Sequence, residues 1–131
     1  LEHFKMVHEL MIKRGMVLGR EQHNDYAKSL QRFFPKTKDR PTALIHRLLV
    51  AALIEARSCE RFKVLSENMA DEELSKFYKE LMISEANHYT LFLGYARKYM
   101  AREIVDKKWE SLLKFEADMM KTRGNTAKVH G

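Results

Sequence analysis

The sequence predicts an all-α fold, a bundle of long helices joined by short links. Three observations carry that reading. Apolar residues recur at i, i+3, i+4 and i+7 over long stretches, and no run alternates apolar and polar residues for long enough to make a strand. Breakers are few, with 5 Gly and 2 Pro in 131 residues, against 45% apolar and 32% charged residues. That balance argues against disorder and against a turn-rich β fold. The links between periodic segments are short, so successive helices pack as neighbours in one domain of ordinary size.

Five helical segments are expected. The first runs from Leu1 to about Arg14, with Phe4, Val7, Leu10 and Met11 on one side and Gly15 near its end. It opens at Leu1, not Met, directly in helical pattern and with no N-cap signal. The chain therefore reads as the middle of a longer product. The second segment spans Glu21–Phe34 and is followed by "PKTKDRP", a turn-like link with two prolines. The third is Thr42 to about Ser66. The fourth is Asp71–Met100, with Asp71 placed to start it. The fifth is about Arg102–Lys121, with Val105, Trp109, Leu112, Leu113, Met119 and Met120 at helical spacing. "TRGNTAKVHG" then reads as a basic, extended tail over about 122–131, closing a single domain, 1–131.

Composition excludes some classes of function. No run approaches the roughly 18 apolar residues of a membrane span, and no secretory signal is present. The single cysteine, Cys59, has no intrachain partner, which fits a reducing, cytoplasmic setting. The net charge of +6 and pI near 9.5 favour polyanionic partners, nucleic acid among them.

Chemistry concentrates on the two central segments. At about 100° per residue, Tyr78, Leu81, Met82, Glu85, His88, Tyr89 and Phe92 share one face of the fourth segment. Glu85 and His88 thus lie on its apolar side. Glu55 interrupts the apolar run Leu48–Ile54, among Ala51, Ala52, Ser58, Cys59 and Phe62. Two buried carboxylates facing each other repel and raise each other's pKa, and a divalent cation removes the conflict. A lone Glu on one helix and Glu-x-x-His on its partner is the half-site of a carboxylate-bridged di-iron bundle. Oxygen and imidazole ligands suit iron or manganese. The competing reading is a hydrogen-bonded or ion-paired core network without metal. A complete site of this class needs a second half. His3 lies on the apolar face with Met6, Val7 and Leu10, and its Glu partner would fall immediately before Leu1.

The stretches "ALIEARSCERFKVL" and "FYKELMISEANHYTLFLGYAR" closely resemble the ferritin-like tRNA hydroxylase family that acts on 2-methylthio-N6-isopentenyl-adenosine in tRNA. "LEHFKMVHELMIKRG" is similar to that family's second helix, and "KVHG" to its C-terminus. The resemblance implies a ferritin-like bundle lacking its N-terminal part here. It also implies a non-haem di-iron monooxygenase that uses O2 and two electrons from a separate reductase to hydroxylate the isopentenyl group. On this resemblance Glu55, Glu85, His88 and His3 are iron ligands. Cys59, one turn beyond Glu55, either lines the oxygen pocket or is a small buried filler.

Between Lys13 and Arg40 lie eight Lys/Arg (Lys13, Arg14, Arg20, Lys28, Arg32, Lys36, Lys38, Arg40) against Glu21, Asp25 and Asp39, and the tail adds Lys121, Arg123 and Lys128. Arg20, Lys28, Arg32, Lys36 and Lys38 are candidate phosphate contacts, with Tyr26, Phe33 or Phe34 available for base stacking. A solvated basic face is the alternative. His46, about 180° around its helix from Glu55, is not expected to be a ligand. Two other functions remain open from sequence: a ferroxidase or iron store, and a metal-free helical module that binds RNA or protein.

Overall fold

The computed structural model describes the backbone of residues 20–130 and the side chains of residues 25–122. The first expected helix and His3 lie outside the described residues. What is described is all-helical: α1 (Arg20–Gln31), α2 (Arg40–Asn68), α3 (Glu72–Tyr99) and α4 (Arg102–His130).

α1 ends sooner than its apolar pattern predicts. Pro35 disfavours helical geometry in the residue before it. The chain closes instead on a tight turn, Phe33 N–H donating to Leu30 C=O at 3.1 Å. The two phenylalanines then turn inward. Phe33 packs on Phe115, ring centroids 4.9 Å apart, and Phe34 stacks on His46 at 4.1 Å.

The two long helices are bounded by the residues their sequences offer. The Asp39 carboxylate accepts from Thr42 N–H at 3.1 Å, and a proline sits in the first turn of α2, where a missing N–H costs nothing. The Asp71 carboxylate accepts from Glu73 N–H at 2.9 Å and Leu74 N–H at 3.2 Å. Glu72 and Glu73 in the first turn of α3, with Arg97 and Lys98 in its last, complement the helix dipole. The link of three residues between α2 and α3 folds the second helix back on the first, and this pair is the most extensively packed in the described chain.

The core is gathered toward one end of that hairpin. Ile45, Leu48, Leu49, Ala52 and Leu53 of α2 meet Phe92, Leu93 and Ala96 of α3, with Leu30 of α1 and Val105 and Leu112 of α4 closing the sides. At the opposite end Val64, Leu74 and Phe77 are exposed.

α4 departs from expectation at its C-terminus. Residues 122–130, read from sequence as an extended tail, continue the helix to His130. They hold no proline, and a single glycine costs a helix only about 1 kcal/mol. Met120, assigned to the apolar stripe, is exposed, whereas Val105 and Leu112 are fully buried.

Candidate metal centre

Glu55 projects from the middle of α2, where the apolar run carries it into the interior, and is 2% exposed. Glu85 projects from the facing stretch of α3 and is fully buried, with His88 half-buried one turn later on the same helix face. One ligand atom from each of the three residues lies within 4.8 Å of the other two. His88 Nδ1 is 4.0 Å from Glu55 Oε2. The His88 ring leans on Phe92, centroids 6.5 Å apart.

The electrostatics of this cluster are demanding. Two carboxylates taken out of water and held together cannot both stay ionised without a positive partner. Among the described residues Glu55 Oε2 makes no hydrogen bond, and neither does the buried Ser58 Oγ one turn further along α2. A cation bound between the carboxylates would use the orphaned oxygen and remove the repulsion. Two carboxylates and an imidazole are the donor set of first-row metals such as iron, manganese or zinc, and three protein ligands leave coordination positions open. The residues present fit a metal ion.

A third buried carboxylate was not singled out from sequence. Glu116 of α4 is 3% exposed. It accepts a hydrogen bond from the Tyr26 hydroxyl of α1 and three from the Arg57 guanidinium of α2, at 2.5, 3.0 and 3.0 Å. Arg57 also holds Glu60 at 2.9 Å. Burial, then the Glu116 hydrogen bond, pushes the Tyr26 phenol well above its ordinary range. The Glu116 bonds outweigh partial burial and hold the Arg57 guanidinium still more firmly charged. The signal was available: Glu116 shares the face of Trp109, Leu112 and Met119, as Glu55 shares that of its neighbours.

The remaining candidates fall into place around these two centres. Cys59 is half-buried, while Ser58 beside it is only 1% exposed. Lys28 on α1 and Arg32, Lys36 and Lys38 on the link are exposed and take no part in the metal cluster. Arg20 begins α1, and its side chain is outside the described set. The aromatic residues proposed for base stacking are otherwise engaged: Tyr26 is bound to Glu116, and Phe33 and Phe34 pack against the core. His46 faces away from the cluster, as its register requires, and its Nε2 meets Lys108 Nζ at 2.8 Å. No helix among the described residues is long and apolar enough to cross a membrane.

Comparison with known proteins accords with this geometry. Among solved structures, the fold is similar to Protein 43 with aldehyde deformylating oxygenase activity from Synechococcus, with a TM-score of 0.66 and 32% identity, covering 89% of this chain and 57% of that one. That likeness and the helix content make the described part a ferritin-like bundle. The sequence is 42% identical over 99 residues to the tRNA 2-(methylsulfanyl)-N(6)-isopentenyladenosine(37) hydroxylase of Pseudomonas putida, covering 76% of this chain and 47% of that protein. It is 39% identical over 104 residues to the enzyme of the same name from Salmonella typhimurium, covering 79% of this chain and 37% of that protein. The chain thus spans about half the length, or less, of these curated relatives. The family model for tRNA-(MS[2]IO[6]A)-hydroxylase (MiaE) matches residues 1–131. The chain belongs to that family.

Proposed function

We propose that this protein is an O2-dependent di-iron tRNA hydroxylase that hydroxylates the isopentenyl group of 2-methylthio-N6-isopentenyl-adenosine in tRNA. The observation that carries the reading is the convergence of Glu55, Glu85 and His88 on one buried point, with an orphaned carboxylate oxygen, in a chain of this family. Glu55, Glu85 and His88 supply one half of the ligand set. His3 supplies the imidazole of the other half, and the full enzyme's remaining glutamates complete it. Bound iron would supply the activation of O2, with two electrons drawn from a separate reductase.

The protein's own contribution is positional. α2 and α3 hold the two carboxylates against each other and keep water from them, since Glu55 and Glu85 are both buried. Phe92 lies beside the His88 ring, centroids 6.5 Å apart. Ser58 and Cys59 offer a hydroxyl and a thiol about one turn along α2 from Glu55. The basic residues of α1 and the following link hold the tRNA by its phosphates. Action on tRNA sets the enzyme in the cytoplasm.

Two measurements test the proposal. Protein purified under iron-replete conditions should carry iron, and Glu55→Ala and Glu85→Ala should lose it. Full iron in both variants would refute the ligand assignment. Nucleoside digests of tRNA from cells with and without the gene should differ in the hydroxylated nucleoside. Identical digests, with iron retained and oxidised in bulk, would point to a ferroxidase instead.

A further inference from the structure

The basic surface contains one cation that is built differently from the rest. Lys108 of α4 is half-buried, and its ammonium is held by His46 Nε2 at 2.8 Å. The His46 ring is itself fixed by a parallel stack on Phe34, 4.1 Å between centroids and 4° between planes. The ammonium also lies over the Phe34 ring, 5.7 Å from its centroid. Burial first, and then the adjacent Lys108 charge, lowers the imidazole's pKa, so the ring stays neutral and accepts the lysine's proton donor.

This partner matters because an imidazole neutralises nothing. Among the described residues no carboxylate lies within ion-pairing distance of Lys108, so its full charge is immobilised and uncompensated. Two of the acids close to the assembly in sequence are committed elsewhere. Asp39 caps α2, and Asp106 is paired with Arg97 at 3.1 Å and Arg102 at 3.7 Å. Exposed Arg47 and Lys107 adjoin the pair in sequence. From Lys28 to Ile54 the chain carries Lys28, Arg32, Lys36, Lys38, Arg40 and Arg47 against the single acid Asp39. Arg40 and Arg47 are separated by about 10 Å of helix rise, more than one small anion spans.

We infer that the Phe34–His46–Lys108 assembly is a preformed phosphate anchor for the RNA backbone, set within the basic surface of α1, its link and the start of α2. A free lysine must give up rotamer freedom on binding; this one is already ordered, so more of its Coulomb attraction reaches the affinity. The contact is to phosphate and reads no base, so it positions the RNA without selecting a sequence. The inference rests on the proposed tRNA substrate.

The test is binding of a fluorescein-labelled, unmodified anticodon stem-loop RNA to the full-length protein, by anisotropy across a salt series. Lys108→Gln should weaken binding roughly fivefold and reduce the slope of log Kd against log salt by about one, whereas Lys108→Arg should keep the slope. Unchanged melting of Lys108→Gln excludes a folding effect. If the wild-type protein binds RNA and Lys108→Gln binds it with equal affinity and slope, the anchor is refuted while the tRNA reading stands. If the wild-type protein binds no RNA at low salt, it is the tRNA reading that fails.

Discussion

Glu116 and the Glu55–Glu85 pair are carboxylates buried in the same bundle, and they are finished in opposite ways. Glu116 lies where α1, α2 and α4 meet, and the fold brings it a phenol and a guanidinium. Its charge is answered within the chain. Glu55 and Glu85 face each other across α2 and α3 with a half-buried imidazole and an oxygen left without a hydrogen bond. Burial of an acid therefore does not mark a functional site by itself. The mark here is that two buried carboxylates and an imidazole converge on one point, with Glu55 Oε2 making no hydrogen bond. A metal ion bound there would balance the two carboxylates directly.

The sharpest break of this comparison is at the unbalanced centre. Glu85→Gln should take bound iron to background and abolish hydroxylation. Yet in the metal-free protein the same change should leave the urea midpoint equal to wild type or higher, because it relieves two crowded carboxylates. A metal-free variant that unfolds several kcal/mol more easily would mean that Glu85 is a structural acid like Glu116.

The balanced centre should respond in reverse. Glu116→Ala strips a charged acceptor from Arg57 and leaves the Tyr26 hydroxyl without its partner. Arg57's side chain is 39% exposed and keeps Glu60, so water and that partner soften the loss. The expected cost is about 2–3 kcal/mol, read from urea unfolding, with iron content unchanged. Loss of iron without loss of stability would reverse the assignment of the two sites.

Tyr26→Phe probes the same centre more gently. It removes one charge-assisted hydrogen bond, worth about 1.5 kcal/mol. Its pH signature is distinctive. The folded phenol titrates above its unfolded value, so its contribution is complete below about pH 10 and fades as pH rises beyond that. The variant should lose part of the alkaline fall in stability that the wild type shows. Parallel alkaline curves would mean that the Tyr26–Glu116 bond carries no net stability.

Much of this was legible in the sequence, for identifiable reasons. The two long helices were, because their apolar stripes are continuous and Asp71 marks the start of the second; the Asp39 cap of the first was not singled out. Glu55, Glu85 and His88 were legible because polar residues inside an apolar stripe stand out and because their spacing matches a known half-site. Glu116 stood in a similar stripe but had no such spacing to announce it. Its partners come from residues 59 and 90 positions away, which no local pattern encodes. The His46–Lys108 contact spans 62 positions and depends on the tertiary placement of α4. The inward turn of Phe33 and Phe34 was hidden for the same reason, since a proline-ended helix reads the same whether its last aromatics face solvent or core.

His46 gives the smallest expected effect and separates the anchor from both carboxylate centres. Its folded pKa lies below the ordinary value, so the neutral ring's contribution is complete above about pH 6.5 and is lost as pH falls through it. The same protonation sets a cation against the Lys108 ammonium and ends its role as acceptor. Acidification should therefore loosen Lys108, while Tyr26 and Arg57, the partners of Glu116, keep their protons. His46→Gln should flatten the stability curve between pH 7 and 5 and leave the alkaline limb set by Tyr26 intact. An acid limb identical in wild type and variant would show that the ring is not held neutral by its surroundings, and the lysine it restrains would lose its fixed position with it.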